Sequence, residues 1–293
     1  MKIMDKHLLI TVSEQQSTLY GVRFAGNLFS NREGVKFTLF YTVPRGPQVW
    51  TGERDHESVN EAEIQAKKNE NRGRKALRTA RQELMKMGFE EEQIKTKLQH
   101  RRFSKAIDII QEGAEGLYDA VVLGRRGLSR LEEAFDESVS KKVLEEKSNF
   151  PIWICRRPDL ERKGVLVCID GSDASERILD HVGFILAGEK EQEVTLLSVN
   201  NSRRSKKDTE AILLTAGDAL VKNGFPSEMI KTKVVEDSNV SRAILSEAAT
   251  GRFSAVASGR TGAGQGLLGK IFMGSVSTRL FRELEGSALW LCY

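Results

Sequence analysis

The sequence predicts two tandem domains of one α/β fold, each built on a five-stranded parallel sheet. Three observations indicate this fold: a repeat relates the two halves, short apolar runs alternate with amphipathic stretches in both, and 293 residues suit two ordinary domains. Parallel strands need crossover connections, so strands that alternate with helices indicate a sheet covered by helices on both faces.

The internal repeat keeps its order along the chain. Residues 88–97 return as residues 224–233, and both copies begin with Gly-Phe and end with Ile-Lys-Thr-Lys. The other matched segments, at an offset of about 136 residues, are 104–107 with 241–244, 124–127 with 259–262, 138–140 with 275–277 and 153–155 with 290–292. We therefore place the first domain at residues 1–157 and the second at residues 158–293, joined by a charged, proline-containing segment at 156–163.

Each half has the same order of predicted elements. In the first half, strands are predicted at 7–12, 36–43, 94–99, 120–123 and 152–155, and helices at 17–29, 59–87 and 104–113. In the second half, strands are predicted at 164–169, 194–199, 230–235, 255–258 and 289–292, and helices at 175–186, 207–223 and 241–249. A last helix should precede the fifth strand of each half. Residues 44–71 have no counterpart in the second half, and they suggest a loop and helix extension or, alternatively, a lid or partner-binding insertion.

Composition restricts the function classes. No stretch approaches the roughly 20 apolar residues of a transmembrane helix, and the first residues lack the apolar core of a signal peptide. We therefore expect a cytoplasmic protein without a membrane partner. The mild net charge of +4, with acids and bases interleaved, argues against nucleic-acid binding.

Histidine and cysteine usage argues against a metal centre. The four histidines are scattered without ligand spacing, which disfavours a zinc site and histidine acid–base chemistry. Cys155, Cys168 and Cys292 all lie in apolar, strand-like runs. We expect buried, reduced thiols there.

A glycine-rich segment of the second half carries the strongest indication of chemistry. Residues 258–270 follow the predicted fourth strand, and Gly274, Ser275 and Val276 should begin the last helix. Glycines let the backbone approach a ligand closely, and the free N–H groups at a helix start favour phosphate. Lys270 and Arg260 could add positive charge. The segment is a candidate phosphate cradle, with a plain surface loop as the alternative.

Two common motifs fit this segment only weakly. Residues 264–271 nearly spell a P-loop, but Ile271 replaces the hydroxyl residue that should hold magnesium. Gly264, Gly266 and Gly269 fit the dinucleotide-binding fingerprint, but that fingerprint belongs after the strand that opens a βαβ unit.

The opposite wall of the site is expected at the end of the first strand of the second half. Asp170 stands there and could accept hydrogen bonds from a ribose or from a base edge. Ser172 or Asp173 would cap the following helix. A turn or capping role for Asp170 itself is the alternative.

These residues resemble the universal stress protein family, once in each half. The resemblance implies a Rossmann-like, adenine nucleotide alpha hydrolase-like fold, often duplicated in tandem. Asp170 matches the family's aspartate after the first strand. Gly259, Gly262, Gly274 and Ser275 match its G-x2-G-x9-G-[ST] loop, which holds ATP phosphates.

Two further positions follow from the resemblance. The spacer between Gly262 and Gly274 is two residues longer than the family pattern, and Gly264 as the second glycine restores the nine-residue spacer. By position, Val199 would offer backbone groups to the adenine.

The first half departs from the family pattern at two positions. Gly124, Gly127 and Ser138 keep the spacing, but Glu137 replaces the last glycine and Ser13 replaces the aspartate. A carboxylate would repel phosphate, so we expect the first half to be a structural partner without a nucleotide.

We therefore expect a stress-response protein that binds ATP or a related nucleotide in its second domain and acts as a regulatory or sensory module. Whether Mg²⁺ accompanies the ATP is left open. A structural or interaction protein with a vestigial pocket is one alternative, and a slow ATPase is another. Catalysis is not expected, because no general base, histidine relay or acidic magnesium pair stands near the loop. The fifth strand of each half should lie at a sheet edge, and in the resembled family such strands form dimers. A tandem chain could pair its own two halves through these strands and then dimerise again, so a homodimer is expected.

Overall fold

The computed structural model describes residues 5–15, 19–45, 56–124, 150–201, 205–260 and 274–292. In the first half the elements are β1 (Lys6–Thr11), α1 (Leu19–Leu28), β2 (Val35–Val43), α2 (His56–Lys86), β3 (Ile94–His100), α3 (Lys105–Glu115), β4 (Ala120–Gly124) and β5 (Ile152–Cys155). In the second half they are β6 (Val165–Cys168), α4 (Asp173–Leu186), β7 (Val194–Asn200), α5 (Lys206–Lys222), β8 (Ile230–Glu236), α6 (Val240–Thr250), β9 (Ala255–Gly259), α7 (Ser275–Glu283) and β10 (Ala288–Cys292). Short 3-10 turns, Glu91–Gln93 and Ser227–Met229, precede β3 and β8.

The ten strands form one sheet in the order β3-β2-β1-β4-β5-β10-β9-β6-β7-β8. Each half contributes five parallel strands, which confirms the predicted fold class. The halves meet where β5 pairs antiparallel with β10, with Trp153 opposite Trp290. This antiparallel step relates the two halves by a local two-fold rotation.

Helices cover both faces of the sheet and bury one core on each. The core under α1, α2, α4 and α5 runs through both halves and includes both tryptophans. The core on the opposite face is covered by α3, α6 and α7. Strands with helices on both faces are buried on both sides, which accounts for their nearly continuous apolar runs.

The sequence places β5 and β10 at sheet edges, but in the structure the two strands pair with each other. Each now has a neighbour on both sides within the same chain, so the predicted homodimer has no free β5 or β10 to use. A homodimer through another surface stays a prediction. The outer edges are instead β3 and β8, whose exposed lysines, Lys95, Lys97, Lys231 and Lys233, disfavour pairing with other strands.

The first-half insertion is in part a helix extension, as the sequence suggests. The helix α2 has 31 residues, whereas its counterpart α5 has 17. Residues 46–55 of the insertion lie outside the described residues.

One repeat match has the wrong register. The sequence pairs Ser104 with Ser241, but the structure shows that Ser104 and Asn239 are the equivalent N-caps of α3 and α6. Ser and Asn serve this position equally well, because either side chain can accept a hydrogen bond from the third residue of the helix.

The joint between the halves is held in place by arginines. The Arg156 guanidinium donates to the carbonyl oxygens of Phe281, at 2.6 Å, and Leu284, at 2.8 Å, at the end of α7. Arg162 donates to the Ser287 hydroxyl at 3.0 Å. The charged segment is therefore anchored to the second half.

The three cysteines are free thiols. Cys155 and Cys292 are buried and Cys168 is partly buried. Burial raises the pKa of Cys168 and of Cys292 to about 12, so both stay protonated at neutral pH. Among the described residues, no helix is long and apolar enough to cross a bilayer, and no group of three His, Cys, Asp or Glu side chains could hold a metal ion.

Candidate functional site

The candidate site lies at the carboxyl edge of the second-half strands. Asp170 follows β6, Val199 lies near the end of β7, and Gly259 is the last residue of β9. The first residues of α7, Ser275 and Val276, are brought to this edge by the backbone pairing described next. The predicted site residues Gly262 and Gly264, and Lys270, lie outside the described residues.

The two ends of the glycine-rich segment are hydrogen-bonded to each other. The Gly274 N–H donates to the carbonyl oxygen of Arg260 at 3.0 Å, and the Arg260 N–H donates to the carbonyl oxygen of Cys292 at 2.7 Å. The hydroxyl of Ser277 donates to the Gly259 carbonyl oxygen at 3.0 Å. The end of β9 and the start of α7 are thus held together, as a phosphate cradle requires.

The amino end of α7 is capped by a glycine. Gly274 is its N-cap and makes no side-chain capping hydrogen bond, whereas the N-caps of α4, α5 and α6 (Ser172, Ser205 and Asn239) each do. The first N–H groups of a helix lack intrahelical acceptors, and the helix dipole adds positive potential there. An anion can therefore approach this end without displacing a capping side chain.

Gly259 allows close packing behind the site. A Cβ at this position would lie 2.8 Å from the Ala174 Cβ and 2.9 Å from the Ala174 carbonyl carbon. Real Cβ contacts are longer than this, so β9 and the start of α4 approach closely because residue 259 is glycine.

Asp170 has the turn role that the sequence left as an alternative. Its Oδ1 accepts from the Ser172 N–H at 3.0 Å and from the Ser172 hydroxyl at 2.5 Å. Ser172 caps α4 by accepting from the Ser175 N–H, which confirms the predicted cap. The turn also needs Gly171, whose φ is +71°. A contact from Asp170 to a ligand stays a prediction.

Arg260 and Val199 differ in exposure. Arg260 is 1% exposed, so its side chain is inside the protein. Its contribution of charge to a phosphate stays a prediction. Val199 is partly buried against the core under α6 and α7. The predicted role of Val199 concerns its backbone, which lies in β7.

In the first half, an exposed carboxylate of the protein itself occupies the corresponding edge. Glu14 stands where the second half has Gly171, and its Oε1 accepts from the Tyr41 hydroxyl at 2.6 Å. Burial disfavours the ionised form of Glu14, yet the Tyr41 hydrogen bond and the charges of Lys105 and Arg72 hold its pKa below the usual value. A negative charge is therefore present at the edge of the first half that corresponds to the Asp170 turn of the second.

Sequence reasoning missed this pair. Glu14 and Tyr41 lie on different elements, and no short motif relates them. The available signal was the replacement of Gly171 by a carboxylate in the first copy of the repeat. Of the first-half residues singled out above, Ser13 and Gly124 follow β1 and end β4, whereas Gly127, Glu137 and Ser138 lie outside the described residues.

Comparison with known proteins identifies the family. The Universal stress protein family model matches residues 4–156 and again residues 161–289. The structure resembles the crystal structure of a universal stress protein from Archaeoglobus fulgidus DSM 4304, at 17% identity and a TM-score of 0.68, over 98% of this chain and 97% of that one. It also resembles a putative universal stress protein from Pseudomonas aeruginosa, at 16% identity and a TM-score of 0.55, over 98% and 93% of the two chains.

Two other comparisons add less. A universal stress protein solved in complex with cAMP aligns with 45% of this chain and 97% of its own, at 21% identity and a TM-score of 0.38. No curated protein matched the sequence at a significant level. The double family match decides the identification: this chain belongs to the universal stress protein family and carries two copies of its domain in tandem.

Proposed function

We propose that the second half binds ATP or a related nucleotide and that the chain acts as a regulatory module of the stress response. The observation that carries the proposal is the backbone pairing of Arg260 with Gly274, which joins the end of β9 to an α7 start without a capping side chain. Such a helix start, next to a glycine-rich segment at the carboxyl edge of a parallel sheet, is a common phosphate site.

The residues present suit a nucleotide. The N–H groups of Ser275 and Val276 would hold phosphate oxygens, and Gly259 keeps the backbone close to α4. Asp170 would accept from the ribose, and the Val199 backbone would hold the adenine, as family membership suggests. Mg²⁺ bound together with the phosphates is part of the proposal but has no ligand group of its own among the described residues.

The same reasoning leaves the first half without a nucleotide. Glu14 and its hydrogen bond to Tyr41 place a carboxylate at the equivalent edge. A second phosphate-bearing ligand would meet charge repulsion there. We therefore propose one nucleotide per chain, with the first half as a structural partner.

Titration calorimetry with ATP tests the binding proposal. We expect one site per chain, and we expect Gly274→Glu to abolish binding, because a carboxylate at the N-cap would face the phosphates. The matched control is Gly217→Glu, at a half-buried position of α5 where a Cβ meets no atom within 4 Å. Full ATP binding by Gly274→Glu, or no ATP binding by the unmodified chain, would refute the proposal.

Phosphate release separates a binding module from an enzyme. We expect ATP to remain essentially intact on the protein, because no histidine or other evident general base stands among the described residues of the site. Turnover at ordinary enzyme rates, about 1–10³ per second, would instead support the ATPase alternative. A protein that binds no nucleotide but retains its fold would support the alternative of a vestigial pocket.

A further inference from the structure

The helix α2 presents four cations on its outer side. We call Lys67, Lys68, Arg72 and Lys75 the α2 basic stripe. All four are exposed, and none forms an ion pair with any residue that the structure describes. Elsewhere on the same helix, Arg74 is paired with Glu70, at 2.6 Å, and Arg81 with Glu91.

The stripe lines a shallow groove of about 440 Å³ together with Asn71 and Ile64. These residues recur every three or four positions, so they follow one side of the helix. The other side of α2 faces the sheet, since a Cβ at Gly73 would lie 2.6 Å from the Tyr41 ring. Ile64, at one end of the groove, is 59% exposed and belongs to neither core that the described residues form.

The fold does not require the cations at two of these four positions. The buried residues Leu77 and Leu84 of α2 correspond to Leu213 and Leu220 of α5 in the repeat. In the same register, Asp208 replaces Arg72 and Ala211 replaces Lys75. Arg203 and Arg204 correspond to Lys67 and Lys68, so the second half builds the same helix layer with the charge reversed or removed at two of the four positions, and the complete stripe belongs to the first half.

We propose that the α2 basic stripe docks an acidic amphipathic helix of a partner protein. Charge complementarity selects an acidic partner. The three-to-four spacing of the stripe suits carboxylates at helical spacing, and Ile64 offers an apolar contact at the end of the seam.

A nucleic acid suits this surface less well. Glu61 and Glu63 are exposed one turn before the stripe, and Glu70 flanks it. A continuous phosphate backbone would meet these carboxylates, whereas a short helix can place its acids over the four cations only. The exposed Ile64 side chain likewise offers nothing to a phosphate.

The test uses the full chain and a labelled synthetic peptide. The peptide is a glutamate-rich amphipathic helix of about 18 residues with one leucine near its end, long enough to be helical. Fluorescence anisotropy compares it with a scrambled peptide and with a single-stranded oligothymidylate of equal charge. The stripe variant carries Lys67→Glu, Lys68→Glu and Lys75→Glu, which leaves Arg72 beside Glu14. The control variant carries Lys86→Glu, Lys190→Glu and Lys222→Glu, three exposed lysines elsewhere that change the net charge equally.

We expect the helical peptide to bind the unmodified chain more tightly than the scrambled peptide or the oligothymidylate. The stripe variant should lose at least about tenfold in affinity and the control variant less than about threefold. Equal losses in both variants, no peptide binding, or a tighter complex with the oligothymidylate would each overturn the proposal. Circular dichroism checks that both variants are folded. The ATP site is distant in sequence, so nucleotide titration of the stripe variant reports on that site separately.

Discussion

Trp153 and Trp290 stack face to face at the centre of the ten-stranded sheet, with ring centroids 4.1 Å apart and an angle of 4° between the planes. Their surroundings differ in one residue. His181 of α4 and Phe24 of α1 are equivalent in the repeat, and each meets both indoles edge-on. Trp153 Nε1 donates to His181 Nε2 at 2.9 Å, whereas Trp290 Nε1 is buried and has no partner among the described residues, because Phe24 takes the place of a histidine.

The local two-fold relation provides a matched pair of substitutions. Trp153→Phe and Trp290→Phe remove the same atoms from equally buried sites, but only the first breaks a hydrogen bond and leaves His181 unsatisfied. We expect Trp153→Phe to lower the free energy of unfolding by about 1–3 kcal/mol more than Trp290→Phe. Urea denaturation of the two variants measures this difference. Equal losses would show that the hydrogen bond contributes nothing to stability.

His181 should also make stability depend on pH. Burial lowers its pKa to about 3, whereas in the unfolded chain it titrates near 6.5. Between these values the unfolded chain binds a proton that the folded chain does not, so stability falls as the pH is lowered through this window. Above pH 6.5 the residue is neutral in both states and has no such effect.

The variant His181→Gln isolates this contribution, because glutamine can still accept from Trp153 but does not titrate. Relative to the variant, the unmodified chain should lose up to about 1.4 kcal/mol per pH unit below pH 6.5. The measurement is the urea midpoint of both proteins across the range. Parallel curves would mean that His181 is protonated in the folded state.

The element pattern could be predicted from sequence because it is local. The apolar periodicity of the sequence predicts strands such as β5 and helices such as α4, and the position of Ser172 predicts a helix cap. The pairing between the two halves was harder to predict, because the same exposed strand edges could pair within one chain or between two chains. Only the tertiary structure shows that β5 and β10 are used internally.

The site was predictable only where backbone geometry dictates residue type. Gly259 and Gly274 could be proposed because glycine marks close approach and open helix starts. The Glu14–Tyr41 pair could not, because a side-chain hydrogen bond between two elements leaves no periodic trace. Likewise, from sequence alone an aspartate at a strand end, such as Asp170, is equally compatible with a turn-forming role and with a contact to a ligand.

Gly259→Ala tests the close approach behind the site. The new methyl group would lie within 2.9 Å of Ala174 backbone and side-chain atoms, so β9 and α4 must move apart. We expect a loss of about 1–3 kcal/mol in unfolding free energy and weaker ATP binding. The control is Gly217→Ala, where the Cβ meets nothing and the helix should gain about 0.5–1 kcal/mol. Thermal melts rank the two variants, and a stable Gly259→Ala protein would contradict the packing argument.

Arg156 links the joint between the halves to the helix that begins at the candidate phosphate site. Its guanidinium donates to the carbonyl oxygens of Phe281, Arg282 and Leu284. These carbonyls lie at the end of α7, where no N–H group of the helix is left to donate to them. Arg156→Met should leave these carbonyls without their charged donor and cost about 2–3 kcal/mol of stability. The neighbouring exposed residue provides the control: Arg157→Met should change stability by less than about 0.5 kcal/mol.

Hydrogen exchange of the α7 backbone amides is the measurement that tests this last prediction. Hydrogen exchange in Arg156→Met should accelerate in the last turn of α7, near Phe281 and Leu284, before it accelerates in the strands. Because α7 has only nine residues, loss of its last turn leaves little helix to orient the first. We therefore expect ATP affinity to fall severalfold in Arg156→Met but not in Arg157→Met. Unchanged α7 exchange would mean that packing of Leu280 and Phe281 in the core holds the helix without the arginine.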